Sequence, residues 1–181
     1  WEFLAAGFAK FAGRELELRQ DVVDSVRATN QRNRALALLM RVLGGMAYDP
    51  LEAVDVYTNQ CCLLVSCSDL ALMGATLANG GINPRTGDRV VSPQAAQAAL
   101  TAMVVSGMYE SSGDWLLDIG MPAKSGISGG LVVASPGNGA FAAYSPRVDG
   151  FGNTVRGQRA AEMVCPAVGP HLLQVGGQDL S

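Results

Sequence analysis

The segment at residues 122–130, with the sequence PAKSGISGG, carries the clearest chemical signal in the chain. It places the ammonium of Lys124 and the hydroxyl of Ser125 among glycines, directly before an apolar run that resembles a strand. A lysine attracts a carboxylate and a serine hydroxyl donates a hydrogen bond. Glycines allow the backbone to approach a ligand and to direct N–H groups at it. The segment therefore predicts a place where a polar small molecule meets the backbone.

The elements after this segment predict a hairpin and a closing helix. Residues 130–135 and 140–145 are runs of small and β-branched residues, joined by the turn sequence Pro-Gly-Asn-Gly. Residues 152–154 can begin a helix that continues through Val164 and ends at Pro166. Because two strands are not a stable sheet by themselves, we expect further strands, from residues that this chain lacks or from another chain.

Four helices are predicted before the hairpin, each from a capping residue and a helical spacing of apolar side chains. Their starts and ends are Thr29 or Asn30 to Gly44, Asp49 to Val65, Ser68 to Asn79, and Ser92 to Gly107. The predicted apolar faces of the first two helices are Ala35, Leu36, Leu39, Met40 and Leu43, and then Val54, Tyr57, Cys61 and Leu64 or Val65. Helices followed by an antiparallel hairpin and a last helix indicate an α+β layered domain.

Composition excludes several classes of protein. The chain has 181 residues, of which 49% are apolar and 16% charged, so it can form one domain with a core and is not disordered. The net charge is −3 and no run of Lys or Arg exceeds two residues, so we expect no nucleic-acid partner. Since no stretch of eighteen apolar residues occurs, we expect no membrane span. The start, Trp1-Glu2-Phe3, has neither an initiator Met nor a basic region, and we interpret it as a position in mid-protein.

The four cysteines predict core thiols and not a metal centre. Cys61, Cys62 and Cys67 lie in one apolar segment, where a free cysteine behaves as a small core residue. The single histidine, His171, is far from them in sequence, so the spacing typical of zinc ligands is absent. Thiols of this kind favour a reducing compartment, and we expect a cytoplasmic protein.

A collinear series of motifs resembles the glutaminases of bacteria and mitochondria. The motifs are residues 32–35 (RNRA), Tyr57 with Cys61, residues 77–81 (LANGG), 106–109 (SGMY), 122–130, 145–146 (SP) and 152–157 (GNTVRG). The resemblance covers about residues 15–172 and implies the serine β-lactamase/transpeptidase-like fold. It also implies hydrolysis of L-glutamine to L-glutamate and ammonia, through a glutamyl-serine intermediate and without a metal or organic cofactor. The shorter Lys-Ser-Gly pattern also occurs in penicillin-binding proteins.

The resemblance assigns four residues to substrate binding or catalysis. Asn33 resembles a substrate-binding asparagine, and its alternative is a polar residue on a helix surface. Tyr57 resembles a substrate-contacting tyrosine, and its alternative is a half-buried aromatic residue. Tyr109 resembles a tyrosine that contacts substrate and relays the proton of the nucleophile, with a core aromatic residue as its alternative. The backbone N–H of Ile127 resembles a donor to the oxyanion that also contacts substrate.

Three residues of the 122–130 segment are expected to shape the pocket around these groups: Lys124, Ser125 and Gly126. The alternative for Lys124 and Ser125 is a solvated turn with a salt bridge.

The chain departs from the family pattern at the nucleophile. Its only lysines are Lys10 and Lys124, and neither stands three residues after a serine. The Ser-x-x-Lys motif that the resemblance implies must therefore lie outside these residues. We expect residues 1–172 to be the C-terminal portion of a glutaminase catalytic domain that lacks its N-terminal strands, with 173–181 as a tail.

A second departure lies at Val26, where the family usually has a glutamate that pairs with the α-ammonium of the substrate. The loss of such a contact costs on the order of 1.5–3 kcal/mol. Asp24, Asp21 or a neighbour substitutes for it, or the register differs, or this protein binds glutamine poorly.

Three functions remain open from the sequence. They are a portion of a glutaminase, an inactive glutaminase-fold binding domain, and a hydrolase that recognises penicillin. An apolar face left open by missing strands would favour self-association, and we expect a homo-oligomer.

Overall fold

The computed structural model of the chain describes residues 1–174 and divides into two compact units. The first unit contains residues 1–9 and 14–65, and the second contains residues 10–13 and the chain from Ser66 onward. Within the described residues, no helix is long and apolar enough to cross a membrane.

The first unit is helical. Its helices are α1 (Glu2–Ala12, which continues into the second unit), α2 (Gln20–Thr29), α3 (Gln31–Val42) and α4 (Pro50–Cys61). Asp49 caps α4 as the sequence predicts, because its Oδ1 accepts hydrogen bonds of 2.9 Å from the N–H groups of Leu51 and Glu52. Helices α1 and α2 were not predicted from the sequence.

The packed face of α4 differs from the predicted one. Val54, Thr58 and Cys62 are buried, at a spacing of four residues, whereas Tyr57 and Cys61 are exposed. The prediction for Val54 is thus confirmed, whereas those for Tyr57 and Cys61 were wrong by one position along the helix. Thr58 is the reason that hydropathy misses this stripe, since it is polar and yet 1% exposed.

The predicted apolar face of α3 is also wrong. Asn30 stands at its N-cap, but the Asn30 side chain makes no capping bond and instead donates to Thr58 Oγ1 at 3.2 Å. Arg34, one turn later, lies 3.7 Å from Asp55 of α4. Because the polar residues Asn30 and Arg34 contact α4, the apolar side chains that were predicted to pack point away from α4. Six apolar side chains of α3 and its C-cap are about half exposed or more: Leu36, Leu38, Leu39, Met40, Val42 and Leu43.

The second unit contains helices and one antiparallel sheet. The helices are α5 (Cys67–Ala78), α6 (Pro93–Ser106), a 3-10 turn (Tyr109–Ser111), α7 (Ser112–Asp118) and α8 (Val155–Val168). The strands are β1 (Ala123–Ser125), β2 (Gly130–Ser135) and β3 (Gly139–Tyr144), in the order β1-β2-β3. The α+β class is thus confirmed, and the predicted hairpin is β2-β3 with Val133 opposite Phe141.

The third strand was expected from outside the chain, but the chain itself supplies it. Strand β1 pairs with β2, with Lys124 opposite Val132, and it lies inside the 122–130 segment. A strand of three residues has too few positions to show the alternation by which strands are recognised.

The sheet lies between α5 and α8. Val132 faces α5, where its Cγ2 atom would be 2.7 Å from a Cβ on Gly74. Leu131 and Val133 point to the other face and join Ala161 and Cys165 of α8 in the main apolar core. Helix α8 continues past Pro166, which was predicted to end it, because a proline within the last turn removes only one helical hydrogen bond.

The cysteines are only partly the predicted core thiols. Cys62 and Cys165 are buried, whereas Cys61 and Cys67 are exposed. Burial raises the pKa of the Cys165 thiol to about 11, so this side chain is a protonated, apolar component of the core.

Gly107 brings the end of α6 against β1. A Cβ at this position would lie 1.7 Å from the carbonyl oxygen of Ala123, and the N–H of Ser125 donates to the Gly107 carbonyl at 3.0 Å. No side chain fits at residue 107, and this explains why the SGMY motif has a glycine at that position.

Replacement of Gly107 by alanine should destabilise the chain by about 3 kcal/mol or more, because a backbone carbonyl cannot move aside as a side chain can. Gly113→Ala is the matched control, since nothing lies within 4 Å of a Cβ at that position of α7. It should be neutral or stabilising by about 0.5–1 kcal/mol. Urea unfolding of both variants measures the difference, and equal midpoints would contradict the close approach.

Candidate active site

Tyr109 has the most unusual backbone of the candidate residues. Its φ of 55° is positive, which is rare for an aromatic residue and signals a conformation held by its surroundings. Ser112 Oγ donates to the Tyr109 carbonyl at 2.7 Å and accepts from the Met108 N–H at 3.1 Å. Ser111 Oγ donates to the Met108 carbonyl at 2.8 Å. Two serine hydroxyls thus hold the strained turn that presents Tyr109.

Asn153 fastens this turn to the loop before α8. Its side chain is fully buried, and its Nδ2 donates to the Met108 carbonyl at 3.2 Å and to Ser111 Oγ at 2.9 Å. The neighbouring Gly152 then lies against the site, with a φ of 98°. Residue 153 therefore fixes the distance between the Tyr109 turn and the loop.

Lys124 and Tyr109 meet directly. The Nζ atom of Lys124 lies 4.5 Å from the centroid of the Tyr109 ring and donates to the carbonyl oxygen of Ser125. The Tyr109 hydroxyl donates to the same carbonyl at 3.4 Å. Burial lowers the pKa of the Lys124 ammonium. These partners are an aromatic ring and a carbonyl, which differ from the salt bridge of the solvated alternative.

Ile127 lies in a β-turn between β1 and β2. The Gly129 N–H donates to the Gly126 carbonyl at 2.8 Å, and the Gly126 N–H donates to the Gly130 carbonyl at 2.9 Å. Ile127 is the second residue of this turn, and the N–H at that position is not used by the turn's own hydrogen bond. The side chain is 78% exposed.

Gly152 is the point at which Tyr109 and Ile127 converge. A Cβ at residue 152 would lie 3.3 Å from Ile127 Cγ2 and 3.4 Å from Tyr109 Cε2. The structure thus brings together Tyr109, Lys124 and Ile127, with Ser125 and Gly126 between the last two. A phenol, an ammonium and a turn N–H at one place suit a reaction in which a proton moves and negative charge develops on an oxygen.

A buried serine hydroxyl lies beneath this cluster. Ser125 is 1% exposed, and its Oγ has no hydrogen-bond partner among the described residues. Ser125 therefore does not present its hydroxyl to solvent, and its backbone carbonyl is the group that contacts Lys124 and Tyr109.

Asn33 and Tyr57 belong to the first unit. Asn33 is partly buried on α3, and Tyr57 is 51% exposed on α4. Their helices are joined by the bond between Asn30 and Thr58, and Asp55 lies 3.7 Å from both Arg27 and Arg34. The roles of Asn33 and Tyr57 in substrate binding stay predictions.

The carboxylates considered as replacements near Val26 already have partners. Asp21 accepts two hydrogen bonds from Arg19, at 2.7 and 2.9 Å, and this pairing lowers its pKa. Asp24 accepts from Gln20 Nε2 at 2.9 Å. Val26 itself is partly buried on α2. Neither aspartate is thus an uncommitted substitute for a carboxylate at position 26.

The second unit also contains a residue that the sequence analysis missed. Asp149 Oδ1 accepts from the N–H groups of Phe151 and Asn153 at 2.9 and 3.0 Å, and its Oδ2 accepts from Gln158 Nε2 at 3.1 Å. Burial acts to raise the pKa of Asp149, but these hydrogen bonds outweigh it and the pKa lies below its ordinary value. The spacing Asp-x-Phe-x-Asn is typical of an aspartate that closes a turn on its own backbone, and it could have identified this residue.

Among residues 1–174, no group of three or more His, Cys, Asp or Glu side chains could hold a metal ion.

Comparison with known proteins identifies the family. The Glutaminase family model matches residues 1–172. This chain belongs to the glutaminase family. It is 49% identical over 169 residues to Glutaminase 2 of Yersinia pestis, a match that covers 93% of this chain and 50% of that protein. It is 45% identical over 179 residues to a glutaminase of Mycobacterium ulcerans (strain Agy99), which covers 99% of this chain and 56% of that protein.

Solved glutaminase structures have the same fold. The probable glutaminase ybaS superposes with a TM-score of 0.92 at 39% identity, covering 97% of this chain and 57% of the other. Mglu in its native form superposes with a TM-score of 0.86 at 40% identity, covering 92% of this chain and 40% of Mglu. The serine β-lactamase-like fold expected from the sequence is thus the fold of the chain, which spans about half the length of these glutaminases.

Replacement of Asp149 by alanine should lower the free energy of unfolding by about 2 kcal/mol at pH 7, because the loop N–H groups lose a charged acceptor. The folded pKa of Asp149 is lowered, so its contribution is complete above the unfolded pKa of about 3.9 and is lost as the pH falls through the folded value. The difference from wild type should therefore be constant from pH 7 to about pH 4 and shrink below that.

Asp88→Ala, at an exposed aspartate of the same unit, is the control and should change stability little. Urea unfolding from pH 3 to pH 7 measures both variants. A loss for Asp149→Ala that does not depend on pH would contradict the role of the ionised carboxylate.

Proposed function

We propose that this chain is the C-terminal portion, residues 1–172, of a glutaminase that converts L-glutamine and water to L-glutamate and ammonia. We assign residues 173–181 to a tail, of which residues 175–181 lie outside the part of the chain that the structure describes. Family membership supports the reaction, and the observation that carries it is the position of Tyr109, which meets Ile127 at Gly152 and has Lys124 over its ring. The serine nucleophile of a Ser-x-x-Lys motif is supplied by sequence outside these 181 residues, which contain no such motif.

The reaction forms and then breaks one ester. The serine oxygen attacks the side-chain amide carbon of glutamine, the C–N bond breaks, and the nitrogen leaves as ammonia after it gains a proton. Water then attacks the glutamyl ester, releasing glutamate and restoring the serine hydroxyl. Tyr109 relays the proton between the attacking oxygen and the leaving nitrogen, while the Ile127 N–H donates to the oxyanion.

The remaining candidates contact the rest of the substrate in this proposal. Asn33 and Tyr57 bind the amino and carboxylate groups of glutamine, for which an amide and a phenol have suitable donors and acceptors. Lys124, Ser125 and Gly126 form the wall of the pocket. The reaction needs no cofactor, since each step is a nucleophilic substitution or a proton transfer.

A second candidate function is that of an inactive, glutaminase-fold binding domain. Val26 favours it, because a valine cannot accept a charged hydrogen bond from the α-ammonium of glutamine. Penicillin hydrolysis is the third hypothesis. It is weaker than the other two, because the family match extends far beyond the Lys-Ser-Gly pattern.

The assembly and the compartment are part of the proposal. We infer a homo-oligomer, which the exposed apolar side chains of α3 support. We infer a cytoplasmic protein, which the four free cysteines support.

Loss of the Tyr109 hydroxyl tests the reaction. In the full-length protein that contains this chain, Tyr109→Phe should lower kcat for ammonia release from L-glutamine by about 100-fold or more, because the proton relay is removed. Tyr144→Phe, at an exposed position of β3, is the control and should leave kcat unchanged. If wild type itself releases no ammonia, the inactive binding domain is the correct function. A Tyr109→Phe variant within threefold of wild type would instead remove Tyr109 from the mechanism.

Restoration of a carboxylate at position 26 tests substrate recognition. Val26→Glu should lower KM for L-glutamine by about 10- to 100-fold if this position faces the α-ammonium, since a charged hydrogen bond is gained. Ala28→Glu adds the same charge to another face of α2 and should not change KM. Equal KM values for the two variants would show that Val26 does not face the substrate.

A further inference from the structure

Lys10 and Lys124 are the two lysines of the chain, and the side chains of both are exposed. Lys124 differs in its contacts, because its ammonium lies over the face of the Tyr109 ring, 4.5 Å from the ring centroid. The Lys124 ammonium also donates to the Ser125 carbonyl, which accepts the hydrogen bond of the Tyr109 hydroxyl as well. One backbone carbonyl therefore connects the cation and the phenol.

Few ionisable side chains lie on the elements that pack against Lys124. Strand β1 packs against α6 and β2, and neither element contains an ionisable residue. The 3-10 turn carries Tyr109 and Glu110, and Glu110 is exposed. Tyr109 is thus the ionisable group in contact with the ammonium among these elements.

The ring of Tyr109 is also restrained at its edge. Gly152 leaves room for Cε2 of the ring, at 3.4 Å from the place of a Cβ, and the loop that carries Gly152 is held by Asn153. The ammonium over the ring and the glycine at its edge leave the hydroxyl as the part of Tyr109 that can meet a substrate.

We propose that Lys124 is a positioning residue that acts through Tyr109, holding the phenol ring in place and opposing the negative charge that its oxygen acquires as the proton moves. This role rests on the proposed function. It makes Lys124 a contributor to turnover without contact with the reacting atoms. The cation–π contact must then exist only while Lys124 is charged.

The kinetic test uses two substitutions in the full-length protein. Lys124→Met keeps the aliphatic bulk but removes the charge, and kcat for L-glutamine should fall by about 3- to 30-fold, with KM changed less than threefold. Lys124→Arg keeps a cation that also stacks on aromatic rings, so kcat at pH 7 should remain within about threefold of wild type.

The pH profile separates a charge effect from a packing effect. Burial lowers the pKa of Lys124, so wild type should lose this contribution to kcat at a pH below the ordinary lysine value of about 10.4. Arginine stays charged throughout, so the alkaline limb of the profile should move to higher pH in Lys124→Arg. An alkaline limb that does not move would overturn the proposal.

A measurement without turnover tests the pairing itself. In the full-length protein with lysine labelled with 13C at Cε, the Lys124 signal is identified as the one that Lys124→Met removes, and the Lys10 signal as the one that Lys10→Met removes. The Lys124 ε-protons should be shifted upfield by the ring, and Tyr109→Leu should return them to the position of Lys10. If Tyr109→Leu leaves the Lys124 signal unchanged, the pairing and the proposal are both wrong. If the pairing is present but wild type does not turn over glutamine, the proposed function fails and the positioning role fails with it.

Discussion

The close approach of α6 to β1 at Gly107 is the constraint on which the candidate site depends. With no side chain at residue 107, the helix end comes within hydrogen-bonding distance of Ser125, and the chain must then turn sharply. The turn holds Tyr109 at a positive φ and places its ring beside Lys124, the residue before Ser125 in β1. The SGMY and KSG motifs, which are separate in the sequence, thus contact each other in the structure.

A polar network also holds the candidate site in place, although none of its residues is a reacting group. Asp149 folds the loop before α8 onto itself, Asn153 connects that loop to the Tyr109 turn, and Gly152 is left in contact with Tyr109 and Ile127. Because a buried amide and an ionised carboxylate require particular partners, they fix the loop more narrowly than apolar packing would. Strain at Tyr109 is balanced by these hydrogen bonds.

The sequence alone was sufficient to predict the elements that are determined by interactions between neighbouring residues. The caps at Asp49 and Ser92 and the Pro-Gly-Asn-Gly turn each act within a few residues, and the predicted helices and hairpin were found there. Prediction failed where tertiary contacts decide. Helix α3 turns its polar stripe toward α4 through Asn30, so its leucines are exposed, and β1 is too short to recognise without its partner strand.

The geometry of the candidate site could be predicted to a similar extent, and the roles of its residues stay predictions. Resemblance indicated Tyr109, Ile127 and Lys124, and the structure brings these three together. Residue spacing alone could not show that Lys124 lies over the Tyr109 ring, since fifteen positions separate the two and the contact depends on the closure at Gly107. Asp149 was missed because its role is to hold a loop, and family motifs emphasise the groups that contact substrate.

The most direct test of the central claim is a crystal structure of the full-length protein with L-glutamate bound. If the cluster around Gly152 is the acyl-transfer site, one oxygen of the side-chain carboxylate should accept a hydrogen bond from the Ile127 N–H at about 2.9 Å, with the Tyr109 hydroxyl beside it. Glutamate bound away from both groups would contradict the account.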